Sequence, residues 1–464
     1  MKDKRKILSG LFSLITSLAV CQNSMFSTVP QNTKSSHIYG FIRGGFYTAI
    51  DKNDDKLYVP SAFSDFGLKA EIEDFSHFKA FADLRFRYGT EFGEHVNKLD
   101  IREAYIKVNG RKWDIAAGQI IIKRGRADFT NPTSRLSPRN MIYRSPDRED
   151  MDMGNLILAS RLYPSDFIDF EFVVIPYYRS SVLIIDPVPV PDYVTIRNIT
   201  SLINRKEMFS YGFKADFHVR SFDWSLSWFD GFDPMPGITL SMFNLDLSGS
   251  ESVPYTELTV EPYRNRVIGV DFETIAGSLG FRGEAAWAMP YLSWQEYEYV
   301  PLPEITWVAG FDWSSGSWRF TGEYSGKYLP DFISPQVDPF IGTEPGYSNL
   351  TEMHSIPEFD IESYFRQQVG VFNRLFNYQL ERCYHNAGLR VETDLLYGKM
   401  QPSVFTMYNF NSRDLLVIPE MKLKPADGLT ITAGAELYYG RSGSLFDLVN
   451  DFMNGFYVSM RVDF

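Results

Sequence analysis

The last ten residues, GFYVSMRVDF (455–464), alternate without a break. Phe456, Val458, Met460, Val462 and Phe464 fall on one face, and Tyr457, Ser459, Arg461 and Asp463 on the other. Successive side chains of a strand point to opposite faces, so period two predicts a strand with one apolar and one wetted face. The pattern recurs. In FKAFADLRFRY (78–88), Phe78, Ala80, Ala82, Leu84, Phe86 and Tyr88 alternate with Lys79, Asp83, Arg85 and Arg87. LGFRGEAAWAM (279–289) alternates around Arg282 and Glu284, SWRFTGEYS (317–325) around Arg319, Thr321 and Glu323, and LTITAGAELYY (429–439) around Glu436. Single charges between apolar neighbours suit a watery lumen. They suit the core between two packed sheets badly, because a buried charge is costly unless paired. About 18 such segments occur, and apart from 358–378 no long amphipathic helical stretch could cover their apolar faces. Lipid covers them more simply, and the expected fold is all-β, a transmembrane antiparallel β-barrel.

Connection lengths give an independent check. Short links at 74–77, 109–112, 163–166, 276–278, 314–317, 397–399 and 424–428 alternate with long ones. The long ones fall at 50–63, 89–97, 120–152, 178–206, 231–263, 290–302 and 327–379. Short periplasmic turns and long external loops are the expected asymmetry of an outer-membrane barrel. A closed barrel with both ends on one side needs an even strand count. The segment 358–379 is therefore read as loop or short helix, giving about 18 strands with about 16 as the alternative.

Composition agrees with this reading. The chain has 38 Phe, 27 Tyr and 33 Gly, yet its mean hydropathy is only −0.21. No run after residue 24 approaches the length of a spanning helix, which excludes a helical membrane protein. The N-terminus reads as a secretory signal: basic MKDKRK, apolar ILSGLFSLITSLAVC, then polar QNS. Cleavage after about residue 21 would remove four positive charges and one negative, taking the net charge from −12 to about −15. Val20 before Cys21 is a poor fit to a lipoprotein processing site, and Cys383 then has no disulfide partner. The expected organisation is a signal peptide over 1–21, a short segment over 22–37 and a single barrel over 38–464, with no room for an energy-coupling plug.

Against this acidic background one segment is basic: GQIIIKRGRADFTNPTSRLSPRN (118–140). Trp113, Ile115, Ala117 and Gln119 alternate up a strand, and Lys123-Arg124-Gly125-Arg126 sits at its top. Asn131-Pro132 and Ser137-Pro138 bias their first residues toward extended backbone, so an ordered, non-helical loop is expected. Gly118, Gln119, Gly125, Ala127, Asp128, Asn131, Pro132, Pro138 and Arg139 together resemble the strand-to-loop motif of porin-like outer-membrane barrels. Those barrels occur in Gram-negative bacteria, Bacteroidetes and proteobacteria. The departures are Arg124 for a usual tryptophan, Ser134 for an aspartate and Asn140 for the final aspartate. The resemblance covers about 23 residues. It implies the fold and a transport role, and names no substrate.

The arginines admit two roles. Arg124, Arg126, Arg135 and Arg139 would narrow the pore and favour anions, as charged constrictions do. Alternatively they pair with Asp128, Asp147, Glu149 and Asp150 and pin the loop. Pore lining is the preferred role for Arg124 and Arg126, and a structural role for Arg139 and Asp128. Arg85, Arg87, Arg282, Glu284, Arg319 and Glu323 complete the pore candidates, and Gly118, Gln119, Gly125, Asn131, Pro132 and Pro138 the structural motif. The expected function is a passive channel for small polar or anionic solutes. The expected partners are outer-membrane lipid and lipopolysaccharide, those solutes, and surface proteins or further copies of the chain. Neither nucleic acid, cofactor nor metal is expected. An anchor for surface proteins is the alternative, favoured by Tyr/Pro-rich loops such as VPVPDY (188–193) and YLSWQEYEYVPLPEITW (291–307). A hydrolase is the weaker one: there is no HExxH or CxxC, and GRSGS (440–444) lacks the nucleophile-elbow spacing.

Overall fold

A computed structural model of the chain describes residues 34–50, 56–74, 77–184, 194–197, 208–246, 253–337 and 360–464. The expected signal peptide, Cys21, most of the segment 22–37 and VPVPDY lie outside the described residues. Eighteen strands form one sheet, and every neighbouring pair is antiparallel. The sheet closes on itself. Its first strand, Lys34–Ile50, pairs with its last, Gly455–Asp463, from Phe41 opposite Asp463 to Tyr47 opposite Tyr457.

The alternation read from the sequence divides outside from inside. Phe456, Val458, Met460, Val462 and Phe464 all point outward and are exposed. On the same wall Arg43 and Asp65 point inward and are only 1% and 2% exposed. Toward the short-turn end, Trp313, Trp318 and Phe320 stack on the outer face, and toward the other end Tyr211, Trp287 and Tyr324 lie outward. Aromatic rings at both rims of an apolar band match the interfacial girdles of a barrel in lipid. Glycines let the inward rings lie flat: a Cβ on Gly45 would strike Phe63, and one on Gly67 would strike Phe41.

Three boundaries differ from the sequence reading. The first strand begins at Lys34, and its partner Leu57–Asp74 takes in residues 57–63 of the expected loop at 50–63, the pair running through a bulge between Tyr47 and Ala49. The expected loop at 89–97 is a tight hairpin, since Phe78–Glu91 and Glu94–Asn109 pair up to Glu91 opposite Glu94. Polar strand ends such as GTEFGEH carry no apolar alternation, which is why they read as loop. The loop at 231–263 contains a hairpin, Gly237–Asp246 with Val253–Glu261, joined by the parallel strand Val194–Arg197 into a separate three-stranded sheet.

That small sheet belongs to the long-loop end. Helix α1 (Ile361–Phe376), within the segment read as loop or short helix, lays Ile361, Phe365, Val369 and Phe372 against Ile238, Leu240, Leu258 and Val260. Asp360 caps it by accepting from the Ser363 N–H at 3.2 Å. Helix α2 (Leu445–Met453), capped by Ser444, adds Leu448 to the same core and turns Phe446 toward Phe405 and Leu416 of the barrel.

Lipid contact predicts an asymmetric response at one strand. Val458→Arg should destabilise the barrel by ~2–4 kcal/mol, as cations do near the bilayer midplane, whereas Val458→Leu should be neutral. Denaturant unfolding in lipid vesicles measures both.

Candidate permeation site

The strand Trp113–Ile120 has eight residues beside a neighbour of sixteen, so the chain leaves the wall partway up and turns inward. Gly118 has φ +139°, and a Cβ there would press on the Ala104 carbonyl. The neighbouring strand carries an extra residue at Arg102, where its register slips between Asp83 and Leu84. The Gln119 amide donates to the Ile101 and Arg102 carbonyls that this bulge frees. Two serines then fold the loop on itself. Ser134 Oγ accepts from the Arg124 N–H at 3.3 Å, and Ser137 Oγ both accepts from Ile122 N–H and donates to its carbonyl.

From Arg124 onward the loop is tied to wall carboxylates. Arg124, 4% exposed, donates to Glu171 from Nε (3.2 Å) and Nη2 (3.0 Å), lying where Gly212 leaves space. Arg126 reaches Asp271 and Glu273, each at 2.6 Å, and Asp216 at 3.7 Å. Glu284 accepts from the backbone N–H of Arg126 and Ala127 and from Thr133 Oγ1. Gly125 makes this possible: its φ is +91°, and a Cβ would collide with the Glu284 carboxylate. Glu323 accepts from the N–H groups of Asp128, Phe129 (3.0 Å) and Thr130 (3.3 Å), while Arg282 pairs with Asp128 at 2.7 Å and with Asp312. Arg135 pairs with Asp233 at 3.2 Å and Glu304 at 3.6 Å.

Pro132 and Pro138 are buried, and Asn131 opens a turn closed by Ser134 N–H on its carbonyl at 3.2 Å. The loop then returns beside itself, with Arg139 Nε 3.1 Å from Asp152 and Met153 N–H on the Pro138 carbonyl. Its last part reaches the opposite wall. Asp150 lies 2.7 Å from Arg43 and 3.5 Å from Arg85; Asp147 meets Arg461 at 3.3 Å; Arg144 meets Glu436 at 3.0 Å. Arg43 and Arg87 share Asp65, and the Arg87 guanidinium lies 3.4 Å from the centroid of the Tyr143 ring. The loop thus bridges the lumen from the strand Ile168–Ile175 to the strand Lys34–Ile50.

Beside the bridge remains a cavity of about 710 Å³ lined by basic and acidic side chains in equal number, seven of each. Most of them are paired. Arg148 and Arg390 are the exceptions: no carboxylate among the described residues lies within ion-pair distance, and both guanidinium groups stack on Phe405. A smaller cavity of about 170 Å³ shares Glu392, Ser403, Glu420 and Lys422 with it and continues toward the short-turn end. Arg319, paired with Glu392 at 2.6 Å, stands there.

Solved structures share this architecture. OccK9 (OpdG) of Pseudomonas aeruginosa matches with a TM-score of 0.54 at 7% identity, over 93% of this chain and 98% of that one. OccAB2 of Acinetobacter baumannii gives 0.52 at 9%, over 93% and 97%, and the outer membrane protein opdK of Pseudomonas aeruginosa 0.52 at 7%, over 92% and 97%. The fold is that of an outer-membrane β-barrel. No protein-family model and no curated protein matches the sequence.

The structure brings Arg124, Arg126, Arg135, Arg282, Glu284 and Glu323 together around one loop, and Arg85 and Arg87 around its far end. Arg124 and Arg126 pair with wall acids, not with the loop acids that the sequence offered as partners. Glu171, Asp271, Arg43, Asp65 and Arg390 escaped the sequence reading. A signal was present, since Glu171 stands between Phe170 and Phe172 and Asp271 between Val270 and Phe272, each at an inward parity.

Two outcomes follow from these ties. Glu323→Ala strands three N–H donors, each charge-assisted bond contributing ~1.5–3 kcal/mol, so limited proteolysis of the folded barrel should cut near residue 129 several-fold faster with unchanged β-sheet circular dichroism. Burial raises the Asp150 carboxyl, but Arg43 and Arg85 outweigh it and hold the group down at about 2. A depressed value means the tie is at full strength above the ordinary carboxylate range near 3.8 and is lost as pH falls through about 2. Protease resistance next to residue 150 should therefore stay constant from about pH 7 to pH 4 and fall only below that range.

Proposed function

We propose that the chain is an outer-membrane, porin-like channel through which small polar solutes, anionic ones preferentially, diffuse passively. The long-loop end faces outside and the short-turn end the periplasm. The observation that carries this reading is the wetted, charge-lined cavity of about 710 Å³ beside a loop fixed across the lumen. A loop held by so many wall contacts narrows the pore to a set size, and the residual cavity takes a solute of a few heavy-atom groups. The shared architecture with OccK9, OccAB2 and opdK supports the barrel frame for such a role.

Preference for anions rests on Arg148 and Arg390. Paired charges in the lining cancel locally, while two guanidinium groups without carboxylate partners among the described residues leave a positive spot on the lumen wall, where a carboxylate or phosphate oxygen finds several donors at once. Arg124 and Arg126 act in this reading as tethers, and Asp128, Arg139 and the glycines shape the bridge. The anchor reading draws on the folded cap of α1 and the small sheet, but nothing in that cap selects a protein partner.

Reconstitution in a planar bilayer tests the proposal. The wild-type barrel should give stable ohmic openings, and the reversal potential in a potassium chloride gradient should report anion preference. Arg148→Ala with Arg390→Ala should shift that potential toward cation preference by roughly 10 mV or more, without loss of folded barrel. A folded barrel that passes no current would refute the channel, and unchanged selectivity in the double variant would refute the role of the two arginines.

A further inference from the structure

We propose that Phe129 and Phe405 form an apolar gate that divides the permeation path into an outer and an inner chamber; the inference rests on the channel reading above. The two rings meet edge to face with centroids 4.8 Å apart. On the long-loop side lies a chamber of about 200 Å³, bounded by Thr130, Pro132, Met407 and Asn409. On the other side lies the chamber of about 710 Å³, bounded by Asp128, Phe405 and Arg390. The two share no lining residue. Along the loop the lining changes chamber between Asp128 and Thr130, and along the strand Met400–Asn409 it changes between Phe405 and Met407. Both changes fall at the ring pair.

The surroundings hold these rings in place. Glu323 accepts from the Phe129 N–H at 3.0 Å, fixing the backbone that carries the ring. Gly388 faces the ring from the wall, where a Cβ would come within 2.8 Å of it, so only glycine leaves the room. Arg390 lies 5.6 and 5.5 Å from the two ring centroids and Arg148 lies 4.7 Å from that of Phe405. Leu416 and Phe446 extend the apolar contact toward α2. An apolar constriction in an otherwise charged lumen resists wetting, and so it limits the passage of ions and hydrated solutes even where the chambers beyond it are open. The flanking guanidinium groups concentrate anions at this barrier, and the rings decide how large and how hydrated a solute crosses.

Single-channel recording of the full chain with Phe129→Ala, Phe405→Ala and Phe129→Trp tests the gate, folding being checked by heat-modifiable electrophoretic migration. Both alanine variants should raise conductance about two-fold or more, and Phe129→Trp should lower or hold conductance. Liposome swelling should show the alanine variants admitting larger neutral sugars than the wild type. Wild-type conductance in both alanine variants would overturn the gate while leaving the channel standing. Absence of current from the wild type and every folded variant would overturn both.

Discussion

The lumen of this barrel is organised by wall carboxylates that accept hydrogen bonds from a loop. Glu171, Glu284 and Glu323 each replace lost hydration with several donors, either a guanidinium or a run of backbone N–H groups. A carboxylate on a low-dielectric wall is costly alone, and so is an unpaired backbone donor inside a protein. Each removes the other's penalty. The loop takes one course because leaving it would strand charge on both sides.

That constraint explains where glycine and short strands occur. Gly125 is required because the backbone must approach Glu284 closely, and Gly118 because the strand must turn away from the wall beside a bulge. The early end of the strand Trp113–Ile120 frees the chain to turn into the lumen, where Arg124 meets Glu171. The same arrangement separates two kinds of arginine. Those bound to wall acids are structural members of the bridge, while Arg148 and Arg390, stacked on aromatic rings, keep their donors for the lumen.

How much of this was legible in the chain differs by level. The lipid face of the strand Gly455–Asp463 and the inward charges of Phe78–Glu91 were readable, because period two and the hydrophobic effect act residue by residue. The loop 120–152 was readable from its length and its X-Pro steps, which also act locally. Hairpin tips such as Glu91–Glu94 were not, since polar strand ends carry no alternation once they rise above lipid. The small sheet with α1 was also hidden. Its strands are far apart in sequence and form a core only when the barrel brings their loops to one end.

The sequence by itself therefore determined a closed barrel in a membrane, its approximate strand number and which residues face the lumen. It also marked the segment that enters that lumen. Only the tertiary structure decided what each inward charge does. Arg124 meets Glu171, Arg126 meets Asp271 and Asp150 meets Arg43 across separations of dozens to more than a hundred residues. Strand periodicity gives direction but no partner, and a charge's role in a lumen is set by its partner. Phe129 and Phe405 show the same limit for apolar groups, since nothing local says that two phenylalanines so far apart in the chain will meet.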